Sequence, residues 1–202
     1  MSRSTLERLD CSRCGREHDA AALQTVCRHC GELLLARYDL AKAARTLALA
    51  RMSERPSSLW RYAEVLPGSD APVSLGEGWT PLHRARRLGR ELGLEALWIK
   101  DESVQPTASF KARGMTTAVT MAARLGATSL ALPSAGNAGG AAAAYGALAG
   151  LPVSLYLPRW TPEPFVREAR FHGAEVHLRD GDIAACGAEV RRLTPERGWF
   201  DL

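Results

Sequence analysis

A chain of 202 residues, 46% hydrophobic and 24% charged, can bury a sizeable core and leaves room for one or two domains. Its net charge of +4 comes from 26 basic against 22 acidic residues, but the arginines are dispersed, and the cluster Arg84, Arg86, Arg87 and Arg90 is too small for a phosphate-binding stripe, so nucleic acid is not an expected partner. No apolar run approaches the ~18 residues of a membrane span, and Met1 to Glu7 lacks the apolar centre of an export signal, so a cytoplasmic location without a membrane partner is expected.

The first organised piece is a pair of CxxC motifs, Cys11-Ser12-Arg13-Cys14 and Cys27-Arg28-His29-Cys30, separated by twelve residues. Each makes a knuckle whose sulfurs point at one spot, with Gly15 and Gly31 supplying the tight turns. Four thiolates surround Zn²⁺ tetrahedrally with no open position, a structural arrangement. Two disulfides are the competing reading, weakened by the missing export signal. His18 and His29 are competing ligands, but the spacing favours Cys11, Cys14, Cys27 and Cys30. So short a segment cannot build its own core, and the metal supplies folding energy. Residues 1–39 therefore read as a small N-terminal four-cysteine zinc ribbon. Residues 40–71 read as a linker and packing segment: a short helix over 40–52, a break at Arg55-Pro56-Ser57-Ser58, then packing residues Leu59 to Tyr62 and a loop from Pro67 to Pro72.

From Leu94 the chain alternates. Strands are expected at 96–100, 128–133, 152–157 and 175–178, with helices at 110–125, 137–149, 163–171 and 183–193. Strand, helix, strand with short links means βαβ units and an open parallel sheet. Such sheets bind ligands at the carboxyl ends of their strands.

Two segments occupy that position. The first is Gln105-Pro106-Thr107-Ala108-Ser109-Phe110-Lys111-Ala112-Arg113-Gly114-Met115. Lys111 is one of three lysines, with Lys42 and Lys100, among 23 arginines. An amine can lose its proton and act as a nucleophile, which a guanidinium cannot. Thr107 or Ser109 is the expected N-cap. Lys111 then falls in the first turn, where the positive end of the helix dipole disfavours a charged amine. The second is Ser134-Ala135-Gly136-Asn137, whose backbone N–H groups and helix dipole suit an anion. Its neighbouring glycines lack dinucleotide-binding spacing, and the small residues 138–147 suit close helix packing. Cys186 reads as a buried small residue, His83, His172 and His177 as structural or exposed, and Arg159 and Arg167 as solvated.

Ser109-Phe110-Lys111-Ala112-Arg113-Gly114 resembles the Schiff-base lysine motif of the threonine synthase branch of pyridoxal-phosphate (PLP) enzymes, the fold group of threonine dehydratase, cysteine synthase and the tryptophan synthase β subunit. Gly76-Glu77-Gly78-Trp79-Thr80-Pro81-Leu82 resembles the family's EGxTPL segment, Leu97 to Glu102 the strand before the lysine, and Ser134 to Asn137 the SxGN loop, all in family order. The ribbon, ending at Arg37-Tyr38-Asp39-Leu40, is similar to one often found in threonine synthase-like proteins. The resemblance implies an α/β fold, with the zinc ribbon followed at 72–202 by the N-terminal part of an incomplete open-parallel-sheet PLP domain. It implies a lyase of amino-acid metabolism that converts O-phosphohomoserine to threonine and phosphate, with PLP and structural zinc as cofactors. Lys111 would carry the cofactor and move the α-proton, Asn137 would bond the pyridoxal 3′-oxygen, and Ser134, Ala135, Gly136 and Asn137 would hold the carboxylate of a small amino-acid substrate.

The sequence departs from that pattern at Ala108, Ala112 and Ala138, where the branch often has Gly, Asp and Thr. It also ends at Leu202, where the resemblance implies a further half with the loop for the cofactor phosphate, so a truncated form is expected. A homodimer or a complementing C-terminal half are the expected protein partners. Two alternatives stay open: another PLP-dependent β- or γ-elimination enzyme such as threonine dehydratase, or a non-catalytic zinc-ribbon fragment that needs a partner half.

Overall fold

The structure is a computed structural model that describes residues 4–202; Met1, Ser2 and Arg3, part of the stretch read for an export signal, lie outside the described residues. The chain opens with three antiparallel strands, β1 (Leu6–Cys11), β2 (Glu17–Asp19) and β3 (Leu34–Tyr38), in the order β2-β1-β3. The stem of this ribbon is bonded to the segment after it: the Thr5 N–H and hydroxyl both donate to the Glu64 carbonyl at 2.9 Å, and the Asp39 N–H donates to the Thr5 carbonyl.

The helix expected over 40–52 is shorter. Helix α1 (Leu40–Thr46) starts where Asp39 accepts the Lys42 N–H at 2.7 Å, and the chain then makes two 3-10 turns, Leu49–Glu54 and Leu59–Val65. These are pinned by Arg55, which grips the buried Glu64 carboxylate with two bonds of 2.6 and 2.7 Å.

Strand β4 (Leu82–Arg84), helix α2 (Arg86–Glu91) and strand β5 (Trp98–Lys100) come next. The sequence assigns residues 96–100 to the parallel sheet; instead β5 pairs antiparallel with β4 in a separate ribbon. Three residues carry no periodic signal that would distinguish the two pairings.

The body is a parallel sheet of β6 (Leu130–Pro133), β7 (Val153–Pro158), β8 (Glu175–Arg179) and β9 (Phe200–Asp201), in the order β8-β7-β6-β9. Helix α3 (Lys111–Arg124) leads into it from β5, and α4 (Asn137–Ala149), α5 (Glu163–Phe171) and α6 (Ile183–Arg197) connect its strands. Alternation along the strands sends Leu130, Leu132, Leu155 and Leu157 to one face, where they pack with Val119 of α3, Tyr145 of α4 and Val166 of α5. Ala131 and Tyr156 point the other way, onto Cys186 and Val190 of α6. Helices on both faces of a parallel sheet bury it twice. Helix α6 runs four residues beyond the expected 193, through Pro195 in its last turn, and ends at Gly198, whose left-handed conformation lets its N–H donate to the Thr194 carbonyl. Strand β9 is an addition that its two residues could not announce.

Candidate active site and metal centre

The ribbon brings its four cysteines together. The sulfurs of Cys11, Cys14, Cys27 and Cys30 all lie within 4.8 Å of one another. Gly15 and Gly31, at φ +69° and +73°, turn the chain back after each pair. The Cys14 N–H donates to Cys11 Sγ and the His29 N–H to Cys27 Sγ, both at 3.4 Å. Led by that Cys14 N–H, backbone donors draw the Cys11 thiol down to about 6. At Cys30 the Glu32 N–H pulls the same way, but the neighbouring sulfurs, Cys11 foremost, and burial push the thiol up to about 12. Four sulfurs this close cannot all ionise without a cation, and a thiolate set fits a thiophilic ion. All five cysteines are free. The His18 ring is not a member of the group.

Lys111 is the first residue of α3 and is half-buried, its Nζ 4.8 Å from the Phe110 ring centroid. The expected Thr107 or Ser109 cap is corrected: Phe110 holds the cap position, and no side chain caps the helix. The Ser109 carbonyl, which accepts the Ala112 N–H, starts the helix in place of its hydroxyl. The hydroxyls of Thr107 and Ser109 are consequently buried without a partner, two unsatisfied polar atoms in the turn that leads to Lys111. Thr107 and Ala108 stand at φ +63° and +50°, uncommon for residues with a side chain.

The turn is clamped from the side. Arg113 donates to Glu102 through Nε at 2.6 Å and Nη2 at 2.8 Å. The same carboxylate accepts from Thr80 Oγ1 at 2.7 Å and Gln105 Nε2 at 2.9 Å, and Gln105 Oε1 accepts the Gly78 N–H. The Arg113 guanidinium holds Glu102 down at about 2. Lys100 donates its amine to the Thr80 carbonyl. Three of the sequence motifs are thus one hydrogen-bonded unit, which motif spacing could not reveal, since Glu102 and Arg113 are eleven residues apart and on different elements.

The Ser134 to Asn137 loop leaves β6 and opens α4. Ser134 is buried, and its Oγ accepts the N–H of Gly139 at 2.8 Å and of Gly136 at 3.2 Å. Its hydroxyl is therefore occupied in shaping the loop rather than directed outward. Ala135 and Gly136 are half-buried and Asn137 is exposed. The Asn137 and Ala138 N–H groups meet no acceptor among the described residues, which leaves donors at a helix N-terminus for an anion. The glycines behind them serve packing: a Cβ on Gly140 would lie 2.6 Å from the Glu168 carboxylate, and one on Gly146 would lie 2.2 Å from Val153. The turn 106–108 that precedes Lys111 lies against α4, as does α3 itself. Sequence reasoning also missed Glu77, buried between these helices and bonded to Tyr145 of α4.

A family model described as pyridoxal-phosphate dependent enzyme matches residues 73–202. Threonine synthase of Methanosarcina acetivorans is 38% identical over 186 residues, covering 92% of this chain and 45% of that protein. Threonine synthase of Methanocaldococcus jannaschii is 36% identical over 190 residues, covering 93% and 47%. The chain spans about half the length of these curated relatives. Among solved structures, a threonine deaminase isoform from Solanum lycopersicum matches 68% of this chain and 36% of its own with a TM-score of 0.54 at 24% identity. Maize serine racemase matches 60% and 37%, with a TM-score of 0.55 at 23% identity, a likeness of fold. With the family model covering more than half of its residues, the chain belongs to the pyridoxal-phosphate dependent enzymes.

Proposed function

We propose that this chain carries the lysine side of the active site of a threonine synthase-like lyase, which takes O-phosphohomoserine to threonine and phosphate. The observation that carries the reading is Lys111 at the first position of α3, in a clamped turn lying against the helix that the Ser134 to Asn137 loop opens. The two threonine synthases similar over most of the chain support the same substrate. Pyridoxal phosphate, when bound, supplies the electron sink for the carbanion. Lys111 is the residue that would hold it, and the two unpartnered hydroxyls beside Lys111 fit a polar ligand. With the cofactor in place, the Lys111 amine would be the base that moves the proton at the substrate α-carbon. Asn137 would be the residue that meets the pyridoxal 3′-oxygen, and the N–H groups of Asn137 and Ala138 would hold the substrate carboxylate, in a loop fixed by Ser134.

Cys11, Cys14, Cys27 and Cys30 hold zinc in a structural role on this reading, supported by a donor set with no open position. A reducing, cytoplasmic setting fits their free thiols; no helix among the described residues is long and apolar enough to cross a membrane. The protein partner proposed with it is a second copy or a polypeptide carrying what the relatives have beyond the matched span.

The test is borohydride reduction of the protein with added pyridoxal phosphate, followed by mass mapping. A visible Schiff-base band and a pyridoxyl label confined to Lys111 are expected. Label spread evenly over Lys42, Lys100 and Lys111 overturns the cofactor assignment.

A further inference from the structure

The proposed reaction leaves one deeply buried charge without a task. Glu77 is fully buried, and no ion pair reaches it among the described residues. Its partners are neutral. Oε1 accepts from the Trp60 indole at 2.7 Å and Ser74 Oγ at 2.9 Å. Thr116 Oγ1 also lies 2.9 Å from it, sharing its one proton with the Val73 carbonyl. Oε2 accepts from the Tyr145 hydroxyl at 2.6 Å and the Leu75 N–H at 3.0 Å.

An apolar side chain would fill such a space without the desolvation that a buried carboxylate suffers. What the carboxylate adds is direction. One oxygen faces Thr116 of α3 and the other Tyr145 of α4, while Trp60 brings in the segment joining ribbon to body. Burial disfavours the charge, but the bonds led by Tyr145 more than offset this and keep Glu77 below the ordinary carboxylate range. The same bond and burial, burial foremost, raise Tyr145. The loop is held from behind as well: the Leu59 N–H donates to the Glu77 carbonyl at 2.7 Å. A Cβ on Gly78, at φ +106°, would lie 2.5 Å from the Leu59 nitrogen. Glu77 cannot drift without moving both helices.

We propose that Glu77 is a positioning residue, its two oxygens fixing α3 against α4 and thereby Lys111 against the loop at Asn137. The inference rests on the reading that Lys111 and this loop act together on one ligand.

The test compares Glu77→Gln and Tyr145→Phe with Val190→Ala, which opens a cavity in the cluster on the other face of the sheet. In each, the pyridoxyl label trapped on Lys111 is divided by that on Lys42, an exposed lysine of α1 in the same molecule. The ratio is expected to fall on the order of tenfold in the Glu77 and Tyr145 variants, since small displacements of reacting groups are costly. It should be unchanged in Val190→Ala at matched loss of thermal stability. A ratio that tracks stability alike in all three overturns the proposal. If the wild-type chain shows no preference for Lys111, the cofactor assignment fails separately, and amide exchange decides the inference. Faster exchange at 112–115 together with Gly139 and Gly140, whose N–H groups are bonded within the loop, in the Glu77 and Tyr145 variants and absent in Val190→Ala, upholds it; unchanged exchange overturns it.

Discussion

Ala108 is held in a conformation that glycine adopts freely. At φ +50° a side chain costs roughly 1–2 kcal/mol relative to the right-handed region. The strain persists because the surroundings over-determine the turn: the Ala108 N–H donates to the Gln105 carbonyl at 2.8 Å, and the Gln105 side chain is itself spanned between Gly78 and Glu102. Ala108→Gly should raise stability by about 0.5–1 kcal/mol, the relief exceeding the entropy that glycine adds to the unfolded chain. Ala122→Gly, buried within α3, should instead lower it by about 1 kcal/mol or more. Denaturant midpoints of the two variants check the pair, and equal losses in both would mean that the turn is unstrained. Lys111 stands out in the sequence because lysine is so scarce in this chain. The strain beside it does not, because alanine at 108 reads as an ordinary helix former. Nor did Ser134 announce that its hydroxyl faces inward, since an SxGN spelling gives residue types and not directions.

At the scale of elements, the helices were the readable part. The bounds expected for α4 and α5 match those observed, because each has a Gly or Pro signal at an end and a full run between. The short pieces were not readable: β5 went to the wrong sheet and β9 was missed, since partners chosen across the fold leave no local trace. The clamps between elements are equally silent, yet they govern the response to acid. Glu102 is held at about 2 chiefly by Arg113, and Glu64 at about 2 chiefly by Arg55, against an ordinary 4.5. A depressed folded-state value means the contribution is complete above the unfolded value and is lost as the pH falls from about 4.5 towards 2. Each pair should add on the order of 2 kcal/mol at neutral pH. Glu102→Gln should therefore be less stable than wild type at pH 7 and lose less on going to pH 3, a difference that urea titrations at the two pH values would expose. Parallel curves would show that the Glu102–Arg113 fork contributes nothing through its charge.

The whole molecule divides its stability between two sources. Within 4–39 only Thr5, Cys11 and Cys27 are buried, so the ribbon has almost no apolar core. The body has one on each face of its sheet. Among the described residues, hydrogen bonds joining the two run from the Thr5 stem to Glu64 and from the Thr25 hydroxyl to the Asp201 carbonyl at 2.9 Å. A structural zinc in the four-cysteine group would supply about 10–16 kcal/mol of apparent binding energy, far more than the ribbon's packing. Chelation should then melt the ribbon while leaving the body folded. Amides of β1 and β3 should lose their protection and all four ribbon cysteines should become reactive to a thiol reagent, while β6 and β7 stay protected and the Cys186 thiol, buried between α6 and the sheet, stays silent. Cys14→Ser should reproduce this without chelator. Loss of protection in β6 and β7 on the same timescale would mean that the stem transmits metal loss through Glu64 and Trp60 into the body. In that case ribbon and parallel sheet would form one cooperative unit, and the metal would belong to the stability of the Lys111 turn itself.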